Sequence, residues 1–193
     1  MDQLIGYFQA ISAFSEAAQT DLRPLFQEAR LSSHQYFIEV GQYARELAFL
    51  ESGCVRAFFV NSEGKEYNKQ FFVGPSLIGA YTSLLTNRPN RIAQQALTDC
   101  KIWKAPFDAV QALFAKHHDL ERLGRKIAEY YFLEKEQKEL EMALLEAKDR
   151  YQIFREQFPG LDQLIPQYHI ASYLGISATQ LSRIRKQMSL EKD

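Results

Sequence analysis

The sequence predicts an α+β chain: an antiparallel β sandwich or roll with flanking helices, then one long helix, then a compact C-terminal helical domain. Three observations carry that expectation. Apolar residues recur at helical spacing near the N-terminus and again beyond Pro106. The stretch between them switches to short β-branched and aromatic runs, broken by turn residues at roughly ten-residue intervals. Near the C-terminus, two short helical patterns are joined through a single glycine, Gly175.

The first element is helical by the spacing of Leu4, Phe8, Ile11 and Phe14, and Leu22, Leu25 and Phe26 extend the expectation to residue 30. From His34 the period changes. Strands are expected at Tyr36–Ile38, Leu47–Leu50, Cys54–Val60, Lys69–Val73, Ile92–Leu97 and Lys101–Trp103. Gly41, Ser52-Gly53, Glu63-Gly64, Gly74-Pro75 and Arg88-Pro89 separate them as turns. About seven or eight strands over residues 34–106 make an antiparallel sandwich or roll.

Pro106 opens the second helical region, with a short helix around Phe107–Lys116. There follows a stripe of Leu123, Ile127, Tyr130, Leu133, Gln137, Leu140, Leu144, Ala147, Tyr151 and Phe154, spaced three and four apart, in which only Gln137 is polar. A helix from Leu120 to about Lys148 would be about 45 Å long. Nine acidic and seven basic residues from Asp119 to Arg150 cover its other faces. A domain of this size cannot cover such a stripe, so the helix is expected to pair with a second copy through Leu123, Ile127, Tyr130, Gln137, Leu140 and Leu144. Asp149 followed by Gln152 has the form of a helix N-cap, placing a new helix start at Arg150, and Pro159-Gly160 ends that helix. The expected division is residues 1–118 as the roll domain, 119–148 as the pairing helix and 149–193 as the C-terminal domain.

The segment Pro166–Gln187 reads PQYHIASYLGISATQLSRIRKQ. Pro166 suits the first turn of a helix, and Gly175 suits the residue that ends one. Ser177 and Gln180 form a capping box that opens a second helix after a very short turn. Ile170, Leu174, Ile176, Leu181 and Ile184 fall where the two helices face each other, with Ala171 small at the closest approach. This is the helix-turn-helix pattern, whose second helix enters the DNA major groove. The residues expected at DNA are Ser177, Ala178, Thr179, Gln180, Ser182, Arg183, Arg185 and Lys186. Arg183 can bond guanine bidentately, Thr179 and Gln180 can reach base edges, and Arg185 and Lys186 suit phosphates.

Charge agrees with that placement. The chain carries −1 overall, yet Ile165–Met188 holds Arg183, Arg185 and Lys186 with no acidic residue, so a +3 island stands against −4 on the remainder. Composition bounds the rest. In 193 residues, 46% apolar and 13% aromatic content is ample for packed cores and excludes wholesale disorder. No apolar run approaches the roughly 18 residues of a membrane span, and Met1-Asp2 leads into no secretory signal, so a cytoplasmic protein without a membrane partner is expected.

At these residues the chain resembles bacterial transcription regulators of the cyclic-AMP receptor protein and fumarate-nitrate reduction regulator (Crp/Fnr) family. The resemblance is closest where Ile170–Ile176 and Leu181–Lys186 follow the pattern IAxYLGIxxxxLSRIRK. Ala147–Tyr151, Gly53–Arg56 and Ala96–Asp99 add softer matches. It implies a cyclic-nucleotide-binding-like β-roll (a double-stranded β-helix) as sensor, a homodimer on palindromic double-stranded DNA, and contact with RNA polymerase.

Members that bind cyclic nucleotides carry a Gly-Glu pair for the ribose and a downstream Arg-Ser or Arg-Thr pair for the phosphate. Here Gly79 matches, Ala80 stands at the Glu position, and Asn90-Arg91 stands where Arg-Ser belongs. The residues that would line a ligand pocket are Ile78, Gly79, Ala80, Tyr81, Thr82, Arg91, Ile92, Tyr130, Tyr131 and Glu134. Cyclic-nucleotide binding in the usual geometry is therefore not expected. Cys54 and Cys100 cannot supply the four thiolates of an iron-sulfur cluster, and no metal site is expected. His117-His118 reads as solvated loop rather than haem ligation. Enzyme chemistry is not expected either: a metal-dependent roll needs two or three histidines and a carboxylate, and the β region has His34 alone. The competing reading is a roll that binds a small molecule without sequence-specific DNA binding. The operator, the effector and the sense of regulation are beyond the sequence.

Overall fold

The computed structural model describes residues 1–190. Two helices, α1 (Asp2–Ile11) and α2 (Glu16–Leu22), precede eight strands: β1 (Gln27–Leu31), β2 (Tyr36–Ile38), β3 (Glu46–Ser52), β4 (Cys54–Val60), β5 (Glu66–Val73), β6 (Ser76–Ile78), β7 (Ala93–Ala96) and β8 (Cys100–Pro106). The short helix α3 (Tyr81–Thr86) lies between β6 and β7. Five helices follow the roll and a sixth closes the described chain: α4 (Phe107–Ala112), α5 (His118–Leu144), α6 (Ala147–Gln157), α7 (Leu161–Leu164), α8 (Gln167–Leu174) and α9 (Ala178–Leu190). No helix among the described residues is long and apolar enough to cross a membrane.

The strands form two four-stranded sheets, ordered β1-β8-β3-β6 and β2-β7-β4-β5. The expected roll is present, with corrections at its edges. Residues 27–31 form a strand and not the end of a helix. The sequence Gln-Glu-Ala-Arg-Leu favours helix locally, but antiparallel pairing with β8, from Gln27 opposite Lys104 to Leu31 opposite Cys100, overrides it. Strand β6 was too short to show a period, and it is held by pairing Ala48–Leu50 with Ile78–Ser76.

The chain packs as two compact units: residues 1–57 with 71–132, and residues 58–70 with 133 onward. In the first, Leu4, Phe8, Phe14, Leu22, Phe26 and Phe49 form a core with Leu120 and Leu123 of α5. The roll interior is a second cluster of Leu31, Leu50, Val55, Ile78, Ala96 and Ile102 with Cys100. The second unit is built on Phe154, which meets Tyr151, Phe158 and Tyr173 at ring-centroid distances of 6.3, 5.3 and 5.8 Å.

The long helix stops earlier than its stripe suggests. It ends at Leu144, and α6 begins at Ala147 with Glu146, in extended backbone, at the N-cap position. Asp149 therefore sits inside the first turn of α6 and is not its cap. No Gly or Pro marks the break. What closes it is Arg150, whose guanidinium donates to the Leu145 carbonyl and, at 3.1–3.2 Å, to the Leu174 carbonyl at the end of α8.

Candidate nucleic-acid interface

The two C-terminal helices meet through a short turn closed and reopened by local hydrogen bonds. Gly175 takes the left-handed conformation at φ 70°, and its N–H donates to the Ser172 carbonyl at 3.2 Å. The next amide, of Ile176, reaches back to the Ala171 carbonyl at 3.0 Å, which completes a Schellman closure of α8. The capping box then opens α9. The Ser177 amide donates to Gln180 Oε1 at 2.9 Å, and the Gln180 amide donates to Ser177 Oγ at 3.1 Å. Ile170, Leu174 and Leu181 are completely buried between the helices, with Ile176 and Ile184 half-buried beside them.

On the opposite side of α9, Ser177, Ala178, Thr179, Gln180, Ser182, Arg183 and Lys186 are all exposed. Thr179 and Arg183 are one turn apart, and Lys186 follows a further turn on. Arg185 is half-buried, and its Nη1 donates to the carbonyl of Asp162 in α7 at 3.3 Å. It braces α9 from behind. Asp162 also anchors α6, accepting from the Tyr151 hydroxyl at 2.9 Å. Burial, with that carboxylate second, pushes the Tyr151 phenol up to about 12.

A third element supports α8, and no sequence pattern announces it. The hairpin residues 58–70, from the tip of β4 and β5, belong to this same unit. The Asn68 amide donates to Ser172 Oγ at 3.0 Å, and that hydroxyl donates to the Glu66 carbonyl at 3.0 Å. Asn68 Nδ2 donates to the His169 carbonyl at 3.1 Å and lies 3.3 Å from His169 Nδ1. Asn68 and His169 are both buried. The partners lie more than 100 residues apart in sequence, which is why local reading misses them.

The residues expected to line a ligand pocket have the following surroundings. Ile78 lies in the roll core, and Gly79 accepts at its carbonyl from Tyr81 N–H at 2.9 Å and from Gln94 Nε2 at 3.1 Å. Ala80, buried, precedes α3 and presents no carboxylate. Asn90 is buried and ties its own loop to the turn after β2: Nδ2 donates to the Glu39 and Ile92 carbonyls, and Oδ1 accepts from the Ile92 amide. Arg91, Tyr81 and Thr82 face solvent, and Ile92 is half-buried. Tyr131 donates to the Leu77 carbonyl at 3.2 Å, while Tyr130 is exposed. Glu134 belongs to the other unit, where it accepts from Gln157. The Cys54 and Cys100 thiols are free and buried, and burial pushes Cys54 up to about 12.

Along α5 the expected pairing stripe divides. Leu123 is buried and Ile127 half-buried within their own chain's core. Beyond them Tyr130, Leu133, Leu140 and Leu144 are 55%, 60%, 51% and 76% exposed, and Gln137, also exposed, donates to Glu141 at 3.1 Å.

Residues 28–117 match the family described as the cyclic nucleotide-binding domain. No curated relative matches the chain by sequence. Among solved structures, FixK2 from Bradyrhizobium japonicum is similar with TM-score 0.76 at 15% identity, over 86% of each chain. CLP from Xanthomonas campestris, a c-di-GMP responsive global regulator, is similar with TM-score 0.68 at 16% identity, over 92% of this chain and 93% of that one. A Eubacterium rectale protein assigned as a transcriptional regulator of the crp/fnr family gives TM-score 0.71 at 11% identity, over 92% and 84%. Residues 28–117 thus match the cyclic nucleotide-binding domain family, within a chain that shares its fold with these solved structures.

Proposed function

We infer that the chain is a DNA-binding transcription regulator of the Crp/Fnr type and not an enzyme. The observation that carries this reading is the outer face of α9. It joins exposed Thr179, Arg183 and Lys186 to a helix start fixed by the Ser177–Gln180 capping box, with no acidic side chain on the helix up to Leu190. Arg183 reads a base edge, Thr179 and Gln180 flank it, and Lys186 meets phosphate. The exposed Tyr130, Leu133, Leu140 and Leu144 stripe supports a homodimer. Two α9 helices in such a dimer read half-sites about 34 Å apart on a palindrome. The protein then works in the cytoplasm and contacts RNA polymerase from the bound site. Selection from random duplexes, followed by gel shift, tests the reading. A recovered palindrome supports it, and no enriched sequence overturns it in favour of a roll that acts without DNA.

The sensor segment is not read as a cyclic-nucleotide site of the usual kind. Ala80 offers no carboxylate to a ribose, Asn90 is engaged by the Glu39 and Ile92 backbone, and Arg91 faces solvent. Calorimetry with cyclic AMP is expected to give no saturable heat. A micromolar dissociation constant that is lost on Arg91→Ala would overturn this.

A further inference from the structure

Within the unit formed by residues 58–70 and 133 onward, α5, α6 and α8 line a cavity of about 260 Å³. Its wall carries both signs of charge. Lys138 of α5 holds its Nζ 3.7 Å above the ring of Tyr173 on α8. Glu141, one turn along, is only 8% exposed. Glu134, one turn the other way, accepts from Gln157 Nε2 at 3.1 Å, and the Tyr173 hydroxyl donates to Gln157 Oε1 at 3.4 Å. Glu156 of α6 completes the acidic side. Burial pushes the Lys138 ammonium down to about 8 against the opposing pull of Glu141, and Arg150 of α6 pushes the same way as burial.

A guest that fits must bring one anionic group for an ammonium that is losing hydration, and cationic groups for three carboxylates. A dicarboxylate meets the glutamates with like charge, and a simple diamine leaves Lys138 unanswered. The volume falls just below the roughly 300–1,000 Å³ of sites for drug-sized ligands, which suits a guest the size of an amino acid. We propose that this cavity binds a small basic amino acid, its carboxylate paired with Lys138 and its ammonium groups facing Glu134, Glu141 and Glu156.

Calorimetry on the full chain without DNA tests the site, using L-ornithine and L-lysine with succinate and 1,4-diaminobutane as comparators. Saturable binding of a diamino acid is expected, weakened at least about tenfold by Lys138→Met on α5 and by Glu156→Gln on α6. Glu156 is exposed, so its variant keeps the fold. Pairing favours the charged lysine, so near pH 8 binding takes up more protons in the native chain than in Lys138→Met, where only the guest's own α-amino group contributes, and the heat depends more strongly on the buffer's ionisation enthalpy in the native chain. No saturable heat with either amino acid overturns the proposal, as does unchanged affinity in both variants or diaminobutane binding as tightly as ornithine. Because Tyr173 belongs to α8, a gel shift with and without ornithine reads whether occupancy changes DNA affinity, which rests on the DNA-binding reading above. A chain that binds ornithine but no DNA refutes that reading and leaves the site standing.

Discussion

At Lys138, burial and charge pull in opposite directions, and the stability of the protein records the difference. The folded chain holds this amine near pKa 8, whereas the ordinary value is 10.5. Between those limits the unfolded chain binds a proton that the folded chain has shed, so stability rises with pH across that window. Below pH 8 the penalty is present in full. Lys138→Met removes it, and a gain of roughly 1–2 kcal/mol at pH 7 is expected once solvent screening is allowed for. Thermal unfolding at pH 7 and pH 10 checks this: the variant's advantage should shrink at the higher pH. A different logic governs the exposed cations of α9. Arg183→Ala should relax preference at one base pair per half-site, worth roughly 1–3 kcal/mol of discrimination. Lys186→Ala should weaken all sequences alike and lower the salt slope by about one, as filter binding at several salt concentrations would reveal.

At the scale of elements, the turn between α8 and α9 concentrates the sequence's local instructions. A Cβ at Gly175 would stand 2.7 Å from Met142 Cε in a left-handed backbone, so Gly175→Ala carries both conformational strain and a contact that must give. A loss of about 1–2 kcal/mol is expected in denaturant unfolding, and adding Met142→Ala should restore only the steric part. Ser177→Ala, which deletes one arm of the capping box, should cost about 1 kcal/mol. These features were legible because each partner lies within a few residues of the other. The six strands marked by short β-branched and aromatic runs between turn residues were legible from equally local signals. Strand β1 was not, since its identity comes from β8, about 70 residues away. The break after Leu144 was not, since it depends on Arg150 reaching two carbonyls at once. The contact of Arg185 with the Asp162 carbonyl was not legible, because residue type says nothing about direction.

At the scale of the whole molecule, the exposed half of the α5 stripe asks for a partner. Replacing Leu140 and Leu144 with Lys should give monomers that bind a palindrome at least about tenfold more weakly, because two tethered readers become independent. Sedimentation at micromolar concentration checks the first part, and a native chain that sediments as a monomer would contradict it. The hairpin of residues 58–70 carries a consequence in time. Asn68 leaves the ribosome 104 residues before Ser172, its partner. At about 5–20 residues per second, the hairpin waits roughly 5–20 seconds for the helix that completes it. During that interval the stacked Phe59 and Tyr67, with their rings 5.3 Å apart, have no C-terminal unit to join. A nascent chain stalled at that stage is a natural client for chaperones, and slow codons between the roll and α8 would lengthen its exposure without changing a single residue of the finished protein.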